Sequence, residues 1–237
     1  MIRSKIWDEK DLARVDFARA NNLFSAHFGP DWPPVPVKRW EYCAASVFSE
    51  VVFCSGKALD VGCGNSIFPH FLNRVGCDVY AIDRGIRNRD EKGVHYRNKS
   101  MTDLSDFEDG IFDYVFAISS LEHVNAGRFV IDGMNFDTGD SRAILELCRV
   151  LAPGGKLVVT TDFAKRYCPP PGLWPSGSHR IYDLDSLYTR LIIPAFSIHP
   201  VKFHGKCEFE FKDNVDIKKM EPAGYDYTSI ILTIIKE

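Results

Sequence analysis

Ala58-Leu-Asp-Val-Gly-Cys-Gly-Asn-Ser66 decides the fold of this chain. Apolar residues run into Asp60, two glycines follow with one residue between them, and Asn65-Ser66 lead into a helix-like stretch. A short apolar run ended by glycine reads as a buried strand. Gly62 and Gly64 suit a tight strand-to-helix turn whose backbone comes close to a ligand. Ser66 is placed to cap the next helix, and Pro69 falls in its first turn, where a missing N–H costs little. Ile67, Phe68, Phe71 and Leu72 give that helix a packed face, and Gly76 ends it.

A turn of this kind, at the C-terminal end of a first parallel strand, forms a nucleotide-binding crevice. It departs from the dinucleotide fingerprint, because the third glycine position is Ile67 and an acid, Asp60, stands just before the turn. A carboxylate there repels a pyrophosphate but accepts hydrogen bonds from an ammonium. The second strand, Asp78-Val-Tyr-Ala-Ile-Asp83, ends in another carboxylate. It lies about 20 residues beyond the glycines, where an acid can hold both ribose hydroxyls. The implied ligand has a ribose, a cationic amine and no necessary phosphate. S-adenosylmethionine fits, and the stretch resembles the class I, Rossmann-like S-adenosylmethionine-dependent methyltransferases, in their type 11 small-molecule branch.

The length of 237 residues allows one α/β domain with additions. The net charge of −3 gives no electrostatic case for nucleic acid, so no nucleic-acid partner is expected. No apolar run is long enough to span a bilayer, and acidic residues follow Arg3 and Lys5, so neither a membrane segment nor a secretory signal is read. The 7 cysteines are odd in number and scattered, with no C-x-x-C pair. That suits a reduced, cytoplasmic setting, with neither a disulfide frame nor a metal site.

Upstream of the turn, Asp8 is placed to cap a helix carrying Ala13, Phe17, Ala20 and Phe24 at helical spacing. A proline-rich break at 29–36 precedes a second helix with Trp40, Ala44, Val47 and Val51 on one face. Residues 1–55 thus read as a helical lid or flank. Arg39-Trp-Glu-Tyr42 either packs on the sheet or touches the ligand.

Downstream, a third strand near Val94–Arg97 leads to Ser100-Met-Thr-Asp-Leu104. In the resembled family an acid here and its neighbour hold the adenine. That position falls on Ser100, with Met101 beside it; Asp103 supplies the carboxylate after a register shift, or simply caps a turn. Phe112-Asp113 opens a fourth strand, Tyr114–Ile118, and Ser119-Ser-Leu-Glu-His-Val124 follows at the crevice mouth. Helix Ala143–Leu151 stops at Pro153-Gly154-Gly155, and Lys156–Thr161 is strand five. The ordered set of Asp60, Gly62, Gly64, Asp83, Phe112-Asp113, Glu122-His123 and Pro153-Gly-Gly155 carries the resemblance, strongly over 56–161 and only by layout elsewhere.

The resemblance implies a single doubly wound α/β domain over 1–237, with a seven-stranded, mostly parallel sheet. Six strands run parallel, and an antiparallel last strand, here Tyr227–Ile235, inserts between two of them. It implies cofactor contacts from Asp60, Gly62, Cys63, Gly64, Asn65, Asp83, Arg84, Ser100, Met101, Ser119 and Ser120. The implied reaction is methyl transfer to a small-molecule acceptor, to oxygen, by in-line displacement. Holding nucleophile and methyl together supplies several kcal/mol of barrier lowering. His123 is the candidate base for an acceptor hydroxyl, since histidine titrates near neutrality; opening a helix is its plain structural alternative.

The remainder, 162–237, holds a long connection and the last strands. The 163–182 loop carries Tyr167, Trp174, His179, Arg180 and Tyr182 among prolines. Aromatic walls with a histidine and an arginine suit an acceptor-binding lid, so Trp174, His179, Arg180 and Tyr182 are the candidate substrate residues. The alternative is a pinned surface loop. The long connection at 125–140 also reaches the crevice. Tyr182–Leu187 starts a helix, and Cys207, Phe209 and Phe211 alternate as on a half-buried strand. Two other functions stay open: an NAD(P)-dependent oxidoreductase on a related crevice, and a non-catalytic cofactor-binding partner protein.

Overall fold

Alternation along the central strands builds the molecule in layers. In β2 (Lys57–Val61), Ala58 faces one hydrophobic cluster while Leu59 and Val61 face the other. β3 (Asp78–Asp83) and β6 (Phe112–Ile118) divide their side chains in the same way. Strands apolar on both faces need cover on both sides, which a parallel sheet between helices supplies. The computed structural model describes residues 2–6, 9–30, 32, 35–51, 55–126, 138–169, 179–197, 208–210 and 228–237.

One face of the sheet is covered by α1 (Val15–Phe28), α2 (Pro36–Ser49) and α3 (Phe68–Arg74). Aromatic rings tie these helices together: Phe24 stacks on Phe71 at 3.7 Å between centroids and on Trp32 at 4.1 Å. The expected inward positions Phe17, Ala20, Phe24, Trp40, Ala44 and Val51 are buried. Ala13 is exposed, because residues Glu9–Ala13 wind as a tighter 3₁₀ turn and lose phase with α1. Asp8 lies outside the described residues. The other face carries α4 (Gly139–Val150), α5 (Leu184–Leu187) and α6 (Ile193–Ser197), with a π-helical turn at Tyr188–Ile192 between the last two.

The remaining strands are β1 (Ile2–Ile6), β4 (Arg89–Glu91), β5 (Val94–Asn98), β7 (Leu151–Phe163), β8 (Glu208–Glu210) and β9 (Thr228–Ile235). The order across the sheet is β4-β5-β3-β2-β6-β7-β9-β1-β8. The doubly wound, mostly parallel sheet with its antiparallel last strand is as expected: β9 lies between β7 and β1, antiparallel to both. Short additions at the edges bring the strands among the described residues to nine, among them β4, antiparallel to β5. The neighbour of β9 comes from the N-terminal segment, Ile2–Ile6, and the strand expected near Cys207–Lys212 pairs outside it as β8. The side-chain facing expected of Cys207, Phe209 and Phe211 lies outside the described residues.

The expected stop at Pro153-Gly-Gly155 appears as a bulge inside β7. Register with β6 shifts between Phe112 and Tyr114, and Gly154 takes a positive φ of 77°. The connections reverse direction between β2 and β6, which lie side by side. A crevice therefore opens beyond their C-terminal ends.

Candidate functional site

The glycine turn is shaped by its backbone. Gly62 (φ 70°) and Gly64 (φ 49°) are both left-handed. A Cβ on Gly62 would lie 2.5 Å from the Cβ of Ser120, so only glycine fits there. The N–H groups of Gly62 and Cys63 both donate to the carbonyl of Ile82, at 2.8 and 3.1 Å, which docks the turn onto β3. The N-cap position of α3 falls on Ile67, one residue beyond the expected Ser66; the Ser66 hydroxyl accepts from the N–H of Phe68 at 3.0 Å from just outside the helix and meets the Tyr42 hydroxyl at 2.9 Å.

Asp83 ends β3 facing this turn. Its Oδ2 accepts from the N–H of Gly64 at 3.1 Å and its Oδ1 from the N–H of Gly85 at 2.7 Å. Two backbone donors thus fix the carboxylate and leave further lone pairs for a ligand. Asp60 is buried beneath the turn, at 2% exposure. Burial, and then the charge of Asp83, push its carboxyl well above the usual range. An incoming cation would favour the charged form.

A cavity of about 190 Å³ opens here. Of the sequence-predicted residues, Gly62, Asp83, Arg84, Ser100, Met101, Ser119, Ser120 and His123 line it together. Gly64 reaches it through Asp83, Cys63 is buried with its thiol pushed up by burial, and Asn65 is exposed beside the turn. Asp103 is exposed and accepts from the N–H of Ser105 at 3.2 Å, which is the turn-capping role. Ser100 bonds to the Thr102 hydroxyl at 2.8 Å.

Lys99, Val124 and Asn125 also line the cavity without having stood out in the sequence. Asn125 has a positive φ of 54°, a conformation asparagine tolerates better than most residues, and that was its one available signal. Among the described residues, the Ser120 hydroxyl is buried and meets no hydrogen-bond partner in the protein. A glycine cradle, a fixed carboxylate and an orphaned hydroxyl on one cavity fit the polar nucleoside part of S-adenosylmethionine.

At the His123 end, a second imidazole stands close. His123 and His179 meet edge-on with centroids 5.7 Å apart. His179 Nε2 lies 3.5 Å from Asp162 Oδ2. Burial, and then the charge of His123, lower the pKa of His179 to about 4, so it stays neutral at physiological pH. Glu122 is buried and accepts from the Thr161 hydroxyl at 3.1 Å. Burial pushes the carboxyls of Glu122 and Asp162 upward, Asp162 with help from the charges of Glu122 and Glu41.

The other loop residues take different places. Arg180 and Tyr182 are fully buried, where ligand contacts were expected of them. Tyr182 donates to Asp140 Oδ2 at 2.9 Å, and Arg180 donates to the carbonyls of Glu122 and Val124. Arg190 forks onto both oxygens of Asp140 at 2.8 Å. These groups latch the chain around 180–190 to the start of α4 and to the 122–124 turn. Trp174 and most of the 125–140 connection lie outside the described residues.

Glu41, within the Arg39–Tyr42 segment, is buried and accepts from Lys38, Ser119 and Ser229. Its sequence context, a charged residue on a mixed helix, carried no signal for that. The described cysteines Cys43, Cys63, Cys77, Cys148 and Cys168 are free thiols. Among the described residues no cluster could hold a metal, and no helix is long and apolar enough to cross a membrane.

Comparison with known proteins agrees with this geometry. Residues 59–159 match the family described as "Methyltransferase domain". The "Ubiquinone biosynthesis O-methyltransferase" of Psychrobacter cryohalolentis is 31% identical over 144 residues, covering 55% of this chain and 51% of that protein. Its namesake from Xanthomonas axonopodis pv. citri is 34% identical over 159 residues, covering 61% and 57%. The chain thus spans about half the length of these relatives.

Among solved structures, the Burkholderia thailandensis 1,6-didemethyltoxoflavin-N1-methyltransferase, bound to 1,6-didemethyltoxoflavin and S-adenosylhomocysteine, aligns with a TM-score of 0.53. It is 15% identical, with 98% of this chain and 92% of that one covered. The [4+2]-cyclase SpnF aligns at 0.50 with 21% identity, covering 82% and 81%. At these identities the structures show the shared fold. Turn, crevice and family match agree: residues 59–159 are similar to the methyltransferase-domain family, on the doubly wound fold that these solved structures share.

Proposed function

We propose that this chain binds S-adenosylmethionine in the cleft between Gly62 and Asn125 and transfers its methyl group to an oxygen of a small-molecule acceptor by in-line displacement. The observation that carries the reading is Asp83, fixed by two backbone donors on the cavity that His123 also lines. S-adenosylmethionine supplies an electrophilic methyl carbon on a sulfonium. The chain's own groups do the rest. Asp83 accepts from the ribose hydroxyls, and Asp60 offers its carboxylate to the ammonium.

The glycine turn lets the backbone approach, with Cys63 and Asn65 beside it. Arg84, Ser100 and Met101 wall the nucleoside, and Ser119 and Ser120 complete the cleft. His123 accepts the acceptor's hydroxyl proton, and its new charge is offset by Glu122 next to it. Neutral His179 contributes to the acceptor side. The named relatives are O-methyltransferases, which supports oxygen as the accepting atom. Free thiols and the absence of a membrane-spanning helix among the described residues fit a cytoplasmic enzyme.

The test is calorimetry with S-adenosylmethionine, S-adenosylhomocysteine and NAD on folded protein. Binding of the first two and not of NAD is expected; heat from NAD alone, or from none of them, refutes the reading. A screen of hydroxylated ring compounds with labelled methyl donor then identifies the acceptor. With that acceptor, His123→Asn is expected to lower kcat about 10²–10⁴-fold.

A further inference from the structure

We propose that Glu41, on α2, is a positioning residue for the cofactor cleft: it holds Ser119 in a left-handed backbone conformation and thereby fixes the wall formed by Ser119 and Ser120. The inference rests on the reading that this cleft takes S-adenosylmethionine.

Ser119 directly follows β6 with a φ of 45°, a region that residues bearing a Cβ seldom occupy. Such a conformation persists only where its surroundings over-determine it, and it concentrates at ligand sites. Ser119 is tied at both ends. Its N–H donates to the carbonyl and the hydroxyl of Thr160 on β7, at 2.9 and 3.0 Å. Its own hydroxyl donates to Glu41 Oε1 at 2.8 Å.

Glu41 is built for holding. Its side chain is 2% exposed, and its carboxylate takes donors from three elements. Ser119 and Ser229, the latter on β9, both donate to Oε1 at 2.8 Å, and Lys38 donates to Oε2 at 2.8 Å. Burying a carboxylate is costly unless it is paired and hydrogen-bonded, and Glu41 is both. Burial by itself would lower the pKa of Lys38, yet its contact with Glu41 holds the ammonium above its ordinary value. Lys38 therefore keeps its charge across the physiological range.

The geometry passes the effect on to the ligand. Ser120 follows Ser119, and its Cβ occupies the space a side chain on Gly62 would need. Ser119 and Ser120 line the same cavity as Gly62 and Asp83. A relaxed Ser119 would carry Ser120 with it and open the contact against the glycine turn. α2, outside the family-matched segment, thus supplies a part of the cleft's precision.

The experiment measures S-adenosylhomocysteine binding by calorimetry on the full chain and its variants. Glu41→Leu removes every acceptor, while Glu41→Gln keeps one oxygen for the two hydroxyls. We expect Glu41→Leu to bind about tenfold more weakly than the parent, and Glu41→Gln to recover most of that. Glycine adopts a φ of 45° without restraint, so the Glu41→Leu penalty measured on a Ser119→Gly background should shrink to about threefold or less.

A Glu41→Leu variant that binds like the parent overturns the proposal. So does a penalty equally large on both backgrounds, which would make Glu41 a general pin for α2. If Glu41→Leu does not fold, Ser119→Ala and Ser119→Gly decide. Both lose the hydroxyl tie, but only alanine resists the conformation, so Ser119→Ala should bind more weakly; equal or tighter binding refutes the idea. No heat from the parent protein overturns the cofactor reading itself, and this proposal with it.

Discussion

Replacing Asp83 with alanine separates the two tasks of one carboxylate. In the protein alone, the change removes two charge-assisted acceptors, for Gly64 N–H at 3.1 Å and Gly85 N–H at 2.7 Å. Hydrogen bonds to charged groups contribute about 1.5–3 kcal/mol each when shielded. Both sites are partly open to solvent, so a combined stability loss of about 1–3 kcal/mol is expected. For a chain of this size each kcal/mol moves Tm by roughly 2–4 °C, giving a fall of about 2–12 °C.

In the complex, two ribose contacts leave as well. At the low end they are worth about 3 kcal/mol together, or about 100-fold in Kd. The assay is thermal unfolding with S-adenosylhomocysteine at 100 times the parent's Kd. The parent then gains about 2.7 kcal/mol, roughly 5–11 °C. The variant, at about its own Kd, gains about 0.4 kcal/mol, roughly 1–2 °C. A variant stabilised by the ligand as much as the parent refutes Asp83 as the ribose anchor, whatever its own Tm.

Three other perturbations follow from the same geometry. Gly62→Ala puts a Cβ 2.5 Å from that of Ser120 at a φ of 70°, so Tm should drop and S-adenosylhomocysteine binding should weaken more than about tenfold; parental values for both would show that the turn yields. The raised carboxyl of Asp60 means the folded state binds the extra proton, so stability falls as pH climbs from about 3.9, the unfolded value, through the folded one. Asp60→Asn should flatten that part of the Tm–pH curve and raise stability near neutrality; an unchanged slope counts against it. Arg180→Met strips the latch from the 122–124 carbonyls and should cost about 3–5 kcal/mol, read as a lower denaturation midpoint; an unshifted midpoint would disprove the latch.

What the sequence made legible was local. Residues 57–83 carry strand, turn, helix and strand in a signature confined to neighbours along the chain, and the structure places each where it was read. What it hid was set by distant partners. Ile2–Ile6 is short and carries charges at alternate positions, and pairing with β9 and β8, both distant in sequence, makes it a strand. Glu41 looks like one more charge on a helix; its burial depends on Ser119 and Ser229, far along the chain. Arg180 and Tyr182 look like ligand contacts because loop polar groups usually face outward. Here Asp140, at the start of α4, gives them an interior partner. His179 was named as a substrate residue from composition alone; the structure sets its ring edge-on to that of His123.

The position of β9 governs the order of assembly during synthesis. It sits between β7 and β1, with Ile2 opposite Ile234 and Leu157 also opposite Ile234. Of the described strands it leaves the ribosome last, yet β1, the earliest made of them, has no antiparallel neighbour until it arrives. The five parallel strands from β5 to β7 can close around the glycine turn beforehand, since each of their pairings spans a far shorter loop. Until then β7 presents an open edge, the kind of surface that pairs with the wrong chain. A nascent chain stalled before residue 228 would therefore hold most of the cofactor crevice and an aggregation-prone flank together, with Glu41 still lacking its partner Ser229.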